Sequence, residues 1–383
     1  MNSLAKLSLV IPTYDRQQYA LRNMRFWSNR GPEIHVLDGS AVPVHDELLS
    51  SVGPNIHYHH WPISMISRIS KVREVLTTPY TALMGDDEFY LPSGLIDAIE
   101  MLNTDKELVS VMGRRLIFNP IGDKIYSKLF YDPQKGRKVN QETPSERMLY
   151  HLSNYTPSTI YSVVRTDIWR KAWESSVCKE FNALGQLEIQ FELSICCLGK
   201  SLVIPSLVWL RSQENSTVES RDKSLQIKEG THISDWWGKP ENKKEREEML
   251  DIMEVTLSSK SNPYLRESLV TAIDAYCENI KKKESEKVRY RNSLNYRFMS
   301  FRKRIIDFFP INLTKLKQTN LGYLLRRSWH DTSVTLYSGA KELEKTGVSV
   351  NWNEILEIEH LIITFHKSLK SNSFNIFMNT TNS

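Results

Sequence analysis

Between Leu7 and Met112 the chain repeats one pattern: a short apolar run, a polar cluster, then a stretch with helical spacing. Leu7–Ile11, Glu33–Leu37, Asn55–His59, Tyr80–Met84 and Leu108–Met112 read as buried strands, and helical segments separate most of them. Strands that alternate with helices build βαβ units, and therefore a mostly parallel sheet with helices on its faces. Such sheets take their ligands at the carboxyl ends of the strands. The strand ends are thus the place to look for chemistry.

Past Gly113 the pattern changes. Asn119-Pro120 and Gly122 form a turn signal between two β-like runs, which predicts a hairpin. Ser158–Val164 reads as a strand, Thr166–Trp173 and Gln186–Leu198 as helices, and Leu202–Ile204 and Leu207–Leu210 as strands. After Asn215 the β signal fades. Lys239–Ser258, Tyr264–Lys283, Leu324–Leu343 and Trp352–Leu369 carry helix-type apolar recurrence with charged faces. The expected organisation is a Rossmann-like α/β domain over residues 1–215, followed by an α-helical region over 216–383 that ends in an Asn/Ser-rich tail.

Composition narrows the class. Of 383 residues, 40% are hydrophobic and 25% charged, the balance of an ordinary folded chain. Cys178, Cys196, Cys197 and Cys277 have no metal-knuckle spacing and read as small buried apolar residues. No signal-peptide core precedes the first strand, and the most apolar stretch, Leu193 to Leu210, is broken by Gly199, Lys200 and Pro205. The reduced cytoplasm is the expected compartment. Charge is unevenly spread: residues 281–330 hold 14 Lys/Arg against Glu284, Glu286 and Asp307, a local +11 within a net +5. That segregation points to an anionic partner for the basic segment.

Three of the strand ends are polar. The first runs into Pro12-Thr13-Tyr14-Asp15-Arg16, the second into Asp38-Gly39-Ser40, and the fourth into Gly85-Asp86-Asp87-Glu88 followed by Phe89-Tyr90-Leu91-Pro92. In this order the clusters resemble those of nucleotide-sugar glycosyltransferases of the GT-A fold, similar to glycosyltransferase family 2, over roughly residues 7–215. The resemblance implies that Pro12, Thr13, Tyr14 and Arg16 meet the nucleotide and that Asp38 bonds its base or ribose. It also puts a basic contact before the fourth strand, for which Arg68 is chosen over Lys71 and Arg73, although all three would also suit a solvated helix face.

The acidic triplet has a physical rationale in that setting. A departing nucleoside diphosphate sheds negative charge, and a cation held by carboxylates can neutralise it. Asp86, Asp87 and Glu88 are therefore the expected ligands of Mg²⁺ or Mn²⁺, with Asp86 also at the donor. Aligned on Leu91-Pro92, the family's D-x-D falls on Gly85, Asp86 and Asp87, so its first acid is missing. An acidic helix N-terminus would explain the same residues without any cation.

An inverting transfer needs a base for the acceptor hydroxyl. Alignment on Gly199 puts Glu188 at the family's acidic pair, with Glu192 one turn later and Glu180 as competitors; an amphipathic helix with surface carboxylates is the plain alternative. Arg211-Ser212-Gln213 resembles the family's R-x-H loop, with Gln213 in place of His and Arg211 as a diphosphate ligand. His57 and His59 share one face of their strand and His60 does not, so no metal is assigned to them.

The expected partners are a nucleotide-sugar donor, UDP-linked by default, and a glycan or lipid-linked acceptor in surface polysaccharide synthesis. The basic, aromatic 281–330 segment would lie on an anionic membrane surface, making the enzyme peripheral, or pack its apolar side onto the catalytic domain. It carries no nucleic-acid recognition signature. A non-catalytic sugar-binding protein and a nucleotidyltransferase are the competing readings.

Overall fold

The computed structural model describes residues 3–121, 124–129, 135–156, 159–181, 183–215, 231–258, 262–291 and 334–370. In chain order the strands are β1 (Leu7–Thr13), β2 (Glu33–Asp38), β3 (Ile56–His60), β4 (Tyr80–Leu83), β5 (Phe89–Tyr90), β6 (Leu108–Ile121), β7 (Lys124–Leu129), β8 (Lys138–Val139), β9 (Val163–Arg165), β10 (Ala183–Leu184), β11 (Lys200–Ser212), β12 (Thr231–His232) and β13 (Val334–Thr335). The helices that matter here are α1 (Gln17–Trp27), α2 (Asp46–Leu49), α3 (Met65–Val75), α4 (Pro92–Thr104), α5 (Pro144–Ser153), α6 (Thr166–Val177), α7 (Gln186–Leu198), α8 (Lys243–Leu257), α9 (Leu265–Arg291), α10 (Leu336–Lys345) and α11 (Trp352–Lys370).

All strands except β10 and β12, which pair with each other, join one mixed sheet of 11 strands flanked by helices. Its first part is the block β3-β2-β1-β4, parallel throughout, with Thr13 beside Asp38 at the shared carboxyl edge. β1 and β2 are buried almost along their whole length because helices cover both faces, which is why they read as continuous apolar runs. β9, antiparallel to β4 and β6, joins this block to the second half. There β6 and β7 form the antiparallel hairpin expected from the turn signal, while β11 runs parallel to β6.

Two expectations change in detail. Leu202–Ile204 and Leu207–Leu210 are one strand, β11, interrupted by register shifts beside Pro205, which cannot donate to a ladder. Ser158–Val164 splits into a 3-10 turn at Thr159–Tyr161 and the short β9. The helices expected over 239–258, 264–283 and 352–369 are present as α8, α9 and α11, and the last part of the helix expected over 324–343 is α10; residues 324–333 lie outside the described residues.

The helices after Asn215 are built into two apolar cores. Trp236, Met249, Met253, Leu269 and Tyr276 pack with Met148 of α5 and Ile189, Leu193 and Cys196 of α7. Ile355, Ile358, Ile362 and Phe365 of α11 pack with Tyr19, Phe26 and Leu95 on the main core. β13 also adds to the sheet edge beside β7. No described helix is long and apolar enough to cross a membrane. Of the basic segment, Lys281–Glu286 are exposed on α9, and residues 292–330 lie outside the described residues.

Candidate active site

The parallel block fixes where a site can form. The chain leaves β1 for β2 on one side while β4 lies on the other, so the crevice between the two directions opens at the carboxyl ends of β1, β2 and β4. Thr13, Asp38 and the loop after β4 meet there. Asp86 is fully buried and accepts the Thr13 hydroxyl at 2.8 Å.

Asp15 turns the chain after β1 with a left-handed φ of 52°, its amide held by the Ser40 hydroxyl at 2.9 Å. That turn brings Arg16, the residue capping the start of α1, over the acidic loop. Its Nε reaches Asp86 Oδ2 at 3.1 Å, one Nη pairs with Asp86 Oδ1, and the other lies 3.2 Å from Asp87 Oδ2. Asn215 donates to the same Asp87 oxygen at 2.8 Å. Asn23 donates to the Asp86 carbonyl and Arg22 to the Asp87 carbonyl, at 2.6 and 2.9 Å.

Asp38, also fully buried, accepts Gln17 and Tyr58 on one oxygen, both at 2.5 Å, and the Ser40 amide on the other at 2.8 Å. Burial pushes its carboxyl up, but the bonds from Ser40, Tyr58 and Gln17 outweigh that and hold it below the usual range. Arg68 sits beneath, donating to the carbonyls of Thr13 at 2.7 Å and of Leu37. A Cβ on Gly39 would come within 2.6 Å of the Arg68 guanidinium and push it off these carbonyls, so glycine here lets Arg68 sit where it does. Tyr14 is 41% exposed at the mouth.

Glu88 turns away from the other two acids. Its carboxyl accepts the Trp209 indole N–H at 3.0 Å and the Gly85 amide at 3.3 Å. Burial pushes it up to about 8, with the Asp87 charge adding and Arg211 opposing. Asp86, Asp87 and Glu88 therefore do not form the three-carboxylate grip expected of them. Among the described residues no group of three or more His, Cys, Asp or Glu side chains is arranged to hold a metal ion. Asp86 Oδ2 and Asp87 Oδ2 already accept bonds from Arg16, Thr13 and Asn215 and Asp86 Oδ1 is ion-paired with Arg16, so Asp87 Oδ1 is the one oxygen of the pair outside this network, too few for an ion that takes about six oxygens.

Across the site, helix α7 starts after Gly185, whose φ of 80° suits glycine, and places Glu188 in its first turn. Tyr155 donates to Glu188 at 2.6 Å. Tyr161 stacks on Trp209 with ring centroids 4.5 Å apart. Burial raises the Tyr161 phenol well above its usual range, with Glu88 and Glu188 adding, so both carboxylates lie within electrostatic reach of one ring. Arg211 opposes that rise, so its charge acts on the same phenol as on Glu88.

The competitors of Glu188 have other surroundings. Glu192 is fully buried and accepts His151 at 2.7 Å and the amides of Thr159 and Ile160 at 3.0 and 3.1 Å. Burial opposes its charge, but these bonds and the His151 charge hold it below the usual range. Glu180 is exposed beyond the end of α6. Of the three, only Glu188 is half-buried beside the site.

Several residues of the network give no signal in the sequence. Gln17 and Asn23 on α1, Tyr58 on β3, Trp209 on β11 and Asn215 beyond it are single polar or aromatic residues brought to the site only by folding. The buried pair of Arg22 with Glu214, 2.7 Å apart, spans 192 positions, and His366 of α11 joins it at 2.6 Å. Burial opposes the Glu214 charge, yet Arg22 and His366 hold its carboxyl down to about 2. At the end of β11 and just beyond it, Ser212 and Glu214 bond each other and Asn215 reaches Asp87, while Gln213 is exposed.

Histidines of β2 and β3 share one face of the block, where a cavity opens toward its amino end. His35, His57 and His59 line a cavity of about 620 Å³ with Glu33, Thr77 and Thr78. His60 instead bonds the Ser40 carbonyl at 2.8 Å.

No family model matches the chain, and no curated protein does. Solved structures of TarS from S. aureus are similar in fold. Its 1–349 fragment covers 73% of this chain and 91% of that one at 12% identity, with a TM-score of 0.40. The same fragment in complex with UDP-GlcNAc covers 73% and 92% at 11% identity, TM-score 0.43, and the UDP complex 73% and 91% at 12%, TM-score 0.38. At that distance they assign no residue its role.

Proposed function

We propose that the chain is a glycosyltransferase of the GT-A type that moves a sugar from a nucleoside diphosphate donor, UDP-linked by default, to a hydroxyl of a glycan or lipid-linked acceptor, with inversion. The observation that carries this reading is the convergence of Thr13, Asp38 and Asp86 with Arg16 and Arg68 at the edge where β1 parts β2 from β4, with Glu188 within electrostatic reach of Tyr161.

In this reading Asp38 and the Pro12–Arg16 turn hold the nucleoside, with Tyr14 against the base. Arg16 and Arg211 meet the diphosphate, and Arg68 stiffens the floor by tying the ends of β1 and β2 together. Glu188 accepts the proton of the acceptor hydroxyl as its oxygen bonds to the anomeric carbon and the bond to the diphosphate breaks. Tyr155 keeps that carboxylate in place. A base and a leaving group on opposite sides of the sugar are what inversion demands.

The test is a thermal-shift panel of nucleotide sugars, since a ligand that binds only the native state raises the melting temperature. One or more UDP-sugars should shift it, and turnover should release a nucleoside diphosphate. A flat panel defeats the donor site. Release of pyrophosphate would make the chain a nucleotidyltransferase, and binding without turnover would make it a sugar-binding protein. For the basic segment 281–330, sedimentation with anionic vesicles at low salt tests the membrane surface.

A further inference from the structure

We infer that Arg16 is the resident cation of the Asp86/Asp87 pair, standing where a divalent ion would bridge the two carboxylates, so that the site receives the donor diphosphate without a metal between them. This rests on the donor reading above for the identity of the anion.

The first ground is an inventory of oxygens. A hard divalent cation needs about six oxygen ligands, several of them from the protein. Asp86 Oδ1 is paired with Arg16, and Asp86 Oδ2 accepts both Thr13 and Arg16. Asp87 Oδ2 accepts Arg16 and Asn215, which leaves Asp87 Oδ1 as the one carboxylate oxygen of the pair outside this network. The two main-chain carbonyls of the loop, the next best hard ligands, are taken by Asn23 and Arg22. An entering ion would have to displace a guanidinium held on both carboxylates and meet its charge at close range.

A second ground is the place of Arg16 in the chain. It caps the start of α1, where the helix dipole disfavours a cation. The acidic pair offsets that, and the left-handed turn at Asp15, pinned by Ser40, leaves Arg16 aimed at it. The side chain is only 12% exposed, so it is built into the site.

Third, the arrangement leaves Arg16 able to bind an anion. Among the described residues, three of the five N–H groups of a guanidinium are engaged, and the remaining ones are free to meet phosphate oxygens. The carboxylates then orient the guanidinium, and the guanidinium meets the diphosphate.

The experiment has two arms on the full chain. In the first, Mn²⁺ alone is titrated without nucleotide and free ion is read by electron paramagnetic resonance. Wild type should retain no ion at up to about 1 mM, while Arg16→Gln, checked for an unchanged far-UV spectrum, should bind one ion at least about tenfold tighter, and Asp87→Asn added to it should abolish the gain. Stoichiometric Mn²⁺ binding by wild type, lost in Asp87→Asn, would overturn the proposal. Arg16→Lys, which keeps the charge, should stay free of ion; uptake equal to that of Arg16→Gln would count against it. In the second arm UDP is titrated by calorimetry in EDTA and in Mn²⁺. Affinities within about twofold support the proposal, because a bridging ion would separate them by far more. Loss of binding in EDTA overturns it. Absence of UDP binding in both buffers defeats the donor reading, and the first arm still decides the role of Arg16.

Discussion

The two ends of the parallel block bury ionisable groups in opposite ways. At the carboxyl end, Asp38 and Asp86 are fully buried yet supplied with donors, and Asp38 stays below the usual carboxylate range. At the amino end, His35 is buried against other imidazoles and no carboxylate is among the causes of its shift; burial, then the charges of His57 and His59, hold it down at about 3. Burial sets the penalty at both ends, and the neighbours decide whether the charge survives it. Helix α7 repeats the contrast within one turn: Glu192 is fully buried and held by His151 and two main-chain amides, whereas Glu188 is half-buried and bonded by Tyr155.

The strongest way to break that contrast is to neutralise both acids of α7. Glu188→Gln should lower turnover by about 10²–10⁴-fold, the range for a lost general base, with donor affinity and melting temperature unchanged. Steady-state kinetics with a working donor reads this; a loss below tenfold would leave Glu188 without the base role. Glu192→Ala should do the reverse. It strands the Thr159 and Ile160 amides and His151 in the interior, at a cost of about 3–5 kcal/mol of stability in urea unfolding. If Glu192→Ala folds as well as wild type, the distinction between the two acids is lost.

The same contrast explains what the sequence could tell. Val10-Ile11-Pro12-Thr13, Leu37-Asp38-Gly39 and Met84-Gly85-Asp86 are legible because strand and functional cluster are contiguous, and a parallel block lines their ends up along one edge. Arg16 was legible as a donor cation, but its grip on Asp86 and Asp87 was not, since it follows from the backbone turn at Asp15. Glu88 looked like a third ligand because spacing within a loop says nothing about which way each side chain points; Trp209 decides that from another strand. Arg22 with Glu214 and His366 was invisible, since no local pattern marks partners that far apart. The helices after Asn215 read correctly as helices, whereas their burial against α5, α7 and α1 depends on tertiary packing alone.

A smaller effect sharpens the amino end. The folded His35 has a pKa of about 3 against 6.5 for the unfolded chain. Below about pH 6.5 the unfolded chain takes up a proton that the folded one refuses, so stability falls as pH drops and the loss is complete only near the folded value. At about pH 5 this amounts to about 2 kcal/mol. His35→Phe keeps a ring in the stack and removes the proton site. Its melting temperature should therefore fall less than that of wild type between about pH 7.5 and pH 5. Parallel slopes for the two proteins would show that His35 is protonated in the folded state.

The smallest effect belongs to the carboxyl end. Tyr58→Phe removes one donor from Asp38 and the acceptor of the Val44 amide while leaving Gln17 and Ser40 in place. A bond to a charged group contributes about 1.5 kcal/mol, and urea unfolding of the variant should show a loss of that order. Because Asp38 keeps its other donors, its carboxyl should rise only part of the way toward the ordinary range. The extra instability of Tyr58→Phe should then be present at neutral pH and shrink as pH falls through the Asp38 titration, the opposite direction from His35. A pH-independent loss would mean that Tyr58 acts through Val44 and packing rather than through the carboxylate, and the carboxyl end would owe its charge to Gln17 and the Ser40 amide alone.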